Sequence, residues 1–463
     1  MTSNSNPALV GGFPKTFWIA NGVELLERAA YYGVFIVITL YLSRILGFND
    51  VQAAWLAGSF SAGLYFLPTF TGALADKIGF RKSLMLAFGL LTIGYTGLAI
   101  FPNILEMQGL VEYGRTVTFT GLLETDIRWA IIPIMVVIMI GGSFIKAVIT
   151  GTVAKSTTTE TRARGFSIFY MMVNIGAFSG KTIVKPLRES MGDLGMINLN
   201  YFAASMTLLA FISIFFFFKN LDDKHDGKSI AEVWAALVKV LSNGRLLTLI
   251  IIITGFWMVQ HQLYATMPKY VLRMAGEGAS PSWYANVNPF VVALTVGFVT
   301  KIMHGKSPLQ SMTVGMFIMP LSALLMAGGN MLQGTVDLGI IQLHPIAFMM
   351  ILGIVFQGLA ESFISPRFLE YFSLQAPKGE EALYLGFSHL HSFLASILGF
   401  GLSGYLLTAY CPDPRLFETH EAWKTAATDA HYIWFYFAGI AAVSAVSLIV
   451  YGKVINRLDA KKS

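Results

Sequence analysis

Cysteine is almost missing: Cys411 stands alone in 463 residues. One cysteine builds no disulfide framework within the chain and no cysteine cluster for a metal. Charge is scarce as well. Lys, Arg, Asp and Glu make up only 13% of the positions, too few to coat a soluble globule of this length. There is no Walker loop, no His-Glu-x-x-His and no Gly-x-Ser-x-Gly, which argues against an enzyme. No sizeable polar region stands apart as a signalling domain, which argues against a membrane receptor. Residues 1–13 lack a basic leader ahead of a short apolar core, so the first helix is expected to remain as an uncleaved span.

What is present is greasy. Apolar residues fill 55% of the chain, and phenylalanine occurs 36 times. Apolar runs long enough for the ~20 residues of a bilayer core recur from end to end. The fold class expected is an all-α, multi-pass membrane protein of twelve transmembrane helices. They are laid down at 16–43, 52–75, 83–102, 129–153, 165–187, 199–218, 246–270, 284–303, 308–329, 345–371, 381–408 and 432–453. Lys and Arg (32 against 26 acids) gather in alternate loops, as at Lys77, Arg81 and Lys82 or Lys155, Arg162 and Arg164. Orientation by the positive-inside rule explains that excess better than nucleic-acid binding. It places both termini in the cytoplasm and the spans in the plasma (inner) membrane.

The longest inner loop divides the spans six and six. Residues 1–218 form an N-terminal bundle, 219–245 a cytoplasmic linker and 246–463 a C-terminal bundle. The linker opens with the charged run "KNLDDKHDGK" and continues as "SIAEVWAALVKVLSN". Its periodicity predicts a helix lying in the inner interface, with Ile230, Val233, Trp234, Leu237 and Leu241 on the apolar face. Two bundles joined this way can rock about a midplane site.

Several charges lie where lipid would not select them. In "ANGVELLERAAYYGVF" the residues Glu24, Glu27, Arg28, Tyr31 and Phe35 share one face of the first helix. Glu24 is nine residues beyond Lys15, ~13 Å at the helical rise and well below the headgroups. A charge at that depth costs at least ~2.5–3.5 kcal/mol. Two acids and one base leave a carboxylate over, poised to take a proton. Lys146 in the fourth span and Glu361 in the tenth are buried charges of the same kind, one per half. They point to a shared aqueous cavity.

The loop "GALADKIGFRK", Gly72 to Lys82, resembles the signature loop of the major facilitator superfamily. Its small residues let helix ends approach, and Asp76 with Arg81 is expected to latch them as a gate. More specifically, "ELLERAAYYG" looks like the ExxER motif of the proton-dependent oligopeptide transporter family. "GGSFIKAVITG" is similar to that family's lysine stretch, with Lys146 at the lysine but Ala147 at a proline. "FYMMVNIG" carries its Phe-Tyr-x-x-x-Asn-x-Gly signature through Asn174 and Gly176. "YANVNPFVV" and "GLAESFISP" resemble two further motifs at Asn288, Pro289 and Glu361.

The resemblance implies proton-driven uptake of small peptides or related carboxylate-bearing solutes, by a carrier that needs neither cofactor nor metal. It implies proton coupling by Glu24, Glu27 and Arg28, a substrate carboxylate at Arg28 and Lys146, and an amine at Asn288 and Glu361. Tyr31, Tyr65, Asn174 and Trp257 would line the pocket. Di- or tripeptide, protons and the lipid bilayer are the expected partners, and a monomer the expected state. An anion or non-peptide carrier for nitrate or an organic acid is the alternative, because the plant nitrate/peptide branch has a similar seventh helix.

The chain also departs from the family. Where typical bacterial members carry an arginine, Phe35 sits, and the seventh helix offers Gln260 and His261 instead of an acid. The outer gate must then close by other means. Phe35 facing Gln260 and His261 predicts a narrower pocket, with an amine of less importance. His389 and His391 stand at i, i+2 and do not share a helical face, so they are not read as a metal site. Lys181, Lys185 and Arg188 recur at i, i+4, i+7 and are expected to snorkel to outer headgroups or to form a cationic vestibule.

Overall fold

The computed structural model describes residues 9–158, 160–219, 229–339, 341–376, 384 and 386–460. Lys224, Lys228 and most of the charged linker run, Lys378, Lys461, Lys462 and the start of the eleventh span fall outside them. Helix dominates the rest. Among the described residues nine helices are long and apolar enough to cross a membrane. A tenth is the first helix, Lys15–Phe35, continued at a bend of 44° by Ile38–Leu40 and a π-helical turn, Tyr41–Ile45. The remaining two of the twelve are the second, broken into Asp50–Phe66 and Pro68–Ile78, and the fifth, Arg162–Met191, which carries several charges.

The breaks have local causes. Pro68 opens the second half of the second helix, where a missing N–H costs nothing. The seventh is Gly244–Gln260, then Gln262–Ala265, then Met267–Ala275, with Pro268 in the first turn of the last piece. Proline cannot donate to the carbonyl four residues back, and its ring collides with it. The sequence reading ran both spans straight through. Gly79 sits at φ 87°, which allows the sharp turn from Ile78 into the third helix, Phe80–Met107, within the "GALADKIGFRK" loop.

The described chain packs as two compact units. The first holds residues to Phe35, Arg44–Gly47 and Phe66–Trp234. In it the first helix lies on the fifth and on the sixth, Leu194–Phe217. The third lies on the sixth and on the fourth, Ile131–Lys155. The second unit holds Ile36–Ser43, Phe48–Tyr65 and Ala235–Ser463. Its ninth helix, Pro308–Ala327, packs on the tenth, Pro345–Leu374, and the twelfth, Tyr432–Ala460. The eighth, Val287–Ile302, packs on the tenth, and the seventh on the eleventh, Leu390–Tyr410.

The linker helix is Ile230–Ser242. Its buried stripe is Val233, Leu237 and Val240, whereas Ile230, Trp234 and Leu241 are exposed, so part of the expected apolar face packs on protein. The Trp234 ring rests on Phe70 at 6.2 Å.

Close approach of the first and fifth helices sets up the candidate site. A Cβ on Gly180 would meet the Ala29 carbonyl oxygen at 2.2 Å, and one on Gly176 would meet the Leu25 carbonyl oxygen at 2.5 Å and the Arg28 Cβ at 2.8 Å. Small residues four apart let membrane helix backbones touch. Gly180→Ala is therefore expected to cost about 1–3 kcal/mol by overpacking, more than the ~1 kcal/mol that alanine gains over glycine in a helix. Gly439, with nothing within 4 Å of its would-be Cβ, is the control. In detergent melts Gly180→Ala should lower Tm, and Gly439→Ala should leave it level or raise it.

Candidate functional site

In the first unit the first helix buries Glu24 and Glu27, 3% and 2% exposed, on either side of Arg28. Arg28 Nε lies 3.2 Å from Glu24 Oε1, and the same guanidinium donates to Glu27 Oε2. Glu24 Oε2 is buried without a hydrogen-bond partner. Arg28 also sits over Tyr31 at 5.3 Å and Tyr32 at 6.0 Å from the ring centres. The three charges read from the sequence are thus one cluster. Removing one member of such a cluster strands the others, at a cost of ~3–5 kcal/mol.

Lys146, on the fourth helix, is exposed and close enough to Glu24 and Arg28 to act on both electrostatically. Phe35 is not an open wall of a pocket. It is 4% exposed and stacked on Tyr31 at 5.1 Å. Asn174 donates one amide N–H to the Tyr170 carbonyl at 2.7 Å, a bond within its own helix. A Cβ on Gly72 would lie 3.2 Å from the Ala147 Cβ, so Gly72 lets the second helix pack closely on the fourth. Arg81 donates to the Phe215 carbonyl at 2.7 Å and so ties the third helix to the C-terminal end of the sixth, while Asp76 is exposed.

The basic triplet on the fifth helix departs from both expectations. Lys181 is 2% exposed and lies 5.4 Å from the Tyr32 ring centre, so it neither snorkels nor lines a vestibule. Tyr32 thereby touches two cations, Lys181 and Arg28. Lys185 reaches Glu189 at 3.5 Å.

In the second unit Glu361 accepts from Gln260 Nε2 at 2.6 Å and from Asn288 Nδ2 at 3.3 Å. Gly358 lets the eighth helix close in: a Cβ there would meet the Asn288 carbonyl oxygen at 3.0 Å. One turn earlier on the tenth helix, Gln357 donates to the Val259 carbonyl at 3.0 Å. Gln260, expected to supply no charge to an amine, donates instead to Glu361, the acid expected to meet that amine.

Beside it the rings gather. Tyr65 stacks on His261 at 5.8 Å and faces His389 at 6.3 Å. Trp257 lies 6.0 Å from His261 and 5.2 Å from His391. His261 Nδ1 is 3.3 Å from Ser396 Oγ, and its Nε2 is buried without a partner. His389 and His391, unassigned from sequence, are 6.3 Å apart in this wall. Gln357 and Ser396 were missed, since neither stands in a charged or motif-like context. Their role shows only when the tenth and eleventh helices lie against the seventh.

Residues 22–335 match the family model of the Major Facilitator Superfamily. Dipeptide and tripeptide permease B of Shigella dysenteriae serotype 1 is 25% identical over 460 residues, 85% of this chain and 87% of that protein. Dipeptide and tripeptide permease A of Cronobacter turicensis is 28% identical over 255 residues, and the match spans 46% of that relative, about half its length. In fold the chain is similar to the POT family transporter PepTSo, with a TM-score of 0.71 at 17% identity over 96% of this chain and 99% of that one. It is similar also to a POT family transporter crystallised with 5-aminolevulinic acid, with a TM-score of 0.68 at 17% identity over 96% of this chain and 97% of that one. The chain belongs to the Major Facilitator Superfamily and, by its motifs and its relatives, to the proton-dependent oligopeptide transporters within it.

Proposed function

We propose that this chain is a symporter that carries small peptides, or related carboxylate-bearing solutes, inward with protons by alternating access. One observation carries the reading: a buried cluster of two acids on one arginine in the first unit, and a carboxylate held by two amides in the second. Arg28 and Lys146 offer cations to a substrate carboxylate. Glu361 offers an anion to its amine. A zwitterion satisfies both, and a proton can enter at the carboxylate that loses its cation. Relatives that are dipeptide and tripeptide permeases support peptides as the cargo.

The remaining parts follow from the same reading. The proton gradient is the only drive, and no cofactor or metal takes part. Residues 1–218 and 246–463 act as the two rocking halves, with 219–245 between them on the cytoplasmic side. Both termini face the cytoplasm of the inner membrane, and the monomer is the working unit.

Counterflow in proteoliposomes tests it. Vesicles loaded with dialanine are expected to take up labelled dialanine, and an inward proton gradient should drive net accumulation. A panel with nitrate and organic acids decides the cargo. Exchange of those anions without exchange of dialanine would overturn the peptide reading in favour of an anion carrier.

A further inference from the structure

A groove of about 640 Å³ runs down the second unit between the seventh and twelfth helices, apart from the site above. Its shape follows from two glycines. At Gly255 the helices touch, since a Cβ there would collide with Ser444 Oγ. Toward the start of the seventh helix they splay, and at Gly244 a Cβ would meet nothing within 4 Å. Arg245, Thr248 and Ile252 line one wall of this fork, and Val446, Val450 and Leu458 line the other.

The charge of the groove lies at its mouth. There Arg245 Nη2 meets Asp459 Oδ1 at 2.5 Å, with the two side chains 27% and 54% exposed. Behind the pair, Tyr451 donates to the Arg245 carbonyl at 3.1 Å and shares a hydrogen bond of 2.9 Å with Tyr371 of the tenth helix. Lys453 and Arg457 stand exposed on the same end of the twelfth helix. Beyond the mouth the walls are largely apolar, and Val446 and Val450 are open, at 57% and 55% exposed. From Leu458 to Val446 the wall is ~18 Å of helix, close to one leaflet of a ~30 Å hydrocarbon core. Thr248 sets a hydroxyl ~4.5 Å deeper than Arg245, about the step from a phospholipid's phosphate to its ester oxygens.

The mouth suits a phosphate. Guanidinium offers five N–H donors in a planar fork that matches phosphate oxygens two at a time. An exposed ion pair is worth little, so Asp459 can turn out into water when another anion arrives at Arg245. Basic pockets between helix ends on the cytoplasmic side take anionic headgroups, and Lys453 and Arg457 add to the positive field at this end. A lipid bound here bridges the seventh and twelfth helices where their own packing has parted. Through Tyr451 and Tyr371 it also steadies the inner end of the tenth.

We propose that this groove binds an anionic phospholipid of the inner leaflet, with the phosphate on Arg245 and an acyl chain along Ile252, Val450 and Val446. The leaflet rests on the orientation proposed above. The site itself depends neither on that orientation nor on the cargo.

The full chain, purified in detergent, is titrated with phosphatidylglycerol and with phosphatidylcholine of the same acyl chains. Native mass spectrometry counts bound lipid, and a thermal melt follows stability. A ligand that binds only the folded chain raises Tm with its concentration. Phosphatidylglycerol should do so, and phosphatidylcholine should bind at least about tenfold more weakly. Arg245→Gln is expected to lose about tenfold in phosphatidylglycerol affinity. Because that change also breaks the pair with Asp459, two further variants decide. Val450→Trp fills the groove without touching the mouth, so it should weaken phosphatidylglycerol about as much while its lipid-free melt stays at wild type. Asp459→Asn removes the competing carboxylate and should tighten phosphatidylglycerol several-fold, whereas a purely structural ion pair would give a lower melt and no gain in affinity. Equal binding of the two lipids, or wild-type phosphatidylglycerol affinity in Val450→Trp, overturns the site. So does a dimer in the mass spectrum that Val450→Trp abolishes with no preference for phosphatidylglycerol, since a second copy would then cover the groove. No substrate enters these measurements, so a failure of dialanine transport refutes the peptide reading separately.

Discussion

Glu27→Gln is expected to abolish proton-driven accumulation of dialanine while leaving measurable counterflow. One proton moving down 100 mV supplies ~2.3 kcal/mol, enough for about 50-fold accumulation at one proton per substrate. The variant should fall to a ratio of about one. The reason lies in how Arg28 is shared. Its guanidinium serves both Glu24 and Glu27, and the two acids are buried while Arg28 is only partly so. A substrate carboxylate arriving at Arg28 competes for that guanidinium. The acid that is displaced can stay buried only by taking a proton, and the proton then travels with the cargo. Glutamine keeps the shape and a hydrogen bond to Arg28 but cannot exchange a proton. Exchange of labelled for unlabelled substrate needs no net proton movement and should survive in part. Gradient-driven uptake at the wild-type level in Glu27→Gln would rule out Glu27 as the coupling acid.

The parts of the molecule legible in the sequence are those written locally. Twelve apolar spans follow from run length, and the Glu24–Glu27–Arg28 cluster follows from helical spacing within one turn. The "GALADKIGFRK" loop was recognisable for the same reason, and Gly79 at φ 87° gives it its sharp turn. Contacts made at long range were not legible. Arg245 is 214 residues from Asp459, and nothing near either one hints at the other. Lys181 misled for a different cause. Its spacing with Lys185 and Arg188 was read correctly as a stripe, but the stripe's first member faces the helix interface, where Tyr32 receives it. Gln260 was legible only in part. In sequence it replaces an acid, and in the structure it donates to one on another helix.

Glu361→Gln is expected to weaken dialanine about 10- to 100-fold while leaving the N-acetylated peptide nearly unchanged. Glu361 accepts from Gln260 at 2.6 Å and from Asn288 at 3.3 Å, two amides that carry no charge of their own. On the proposed reading its carboxylate is what a substrate ammonium meets. A hydrogen bond to a charged group contributes ~1.5–3 kcal/mol, and each ~1.4 kcal/mol is tenfold in affinity. Glutamine retains the geometry and can still meet Gln260, so the fold should hold and only the charge is lost. The acetylated peptide carries no ammonium and never had that gain to lose. Gln260→Leu probes the brace from the other side. It removes the shorter of the two amide hydrogen bonds on Glu361 Oε2 without removing the charge, so it should cost dialanine less, about threefold to tenfold, by loosening the position of Glu361. Competition against labelled dialanine reads each of the three transporters with each of the two peptides. Equal losses for the free and acetylated peptides in Glu361→Gln would show that the residue supports the pocket and does not read the amine.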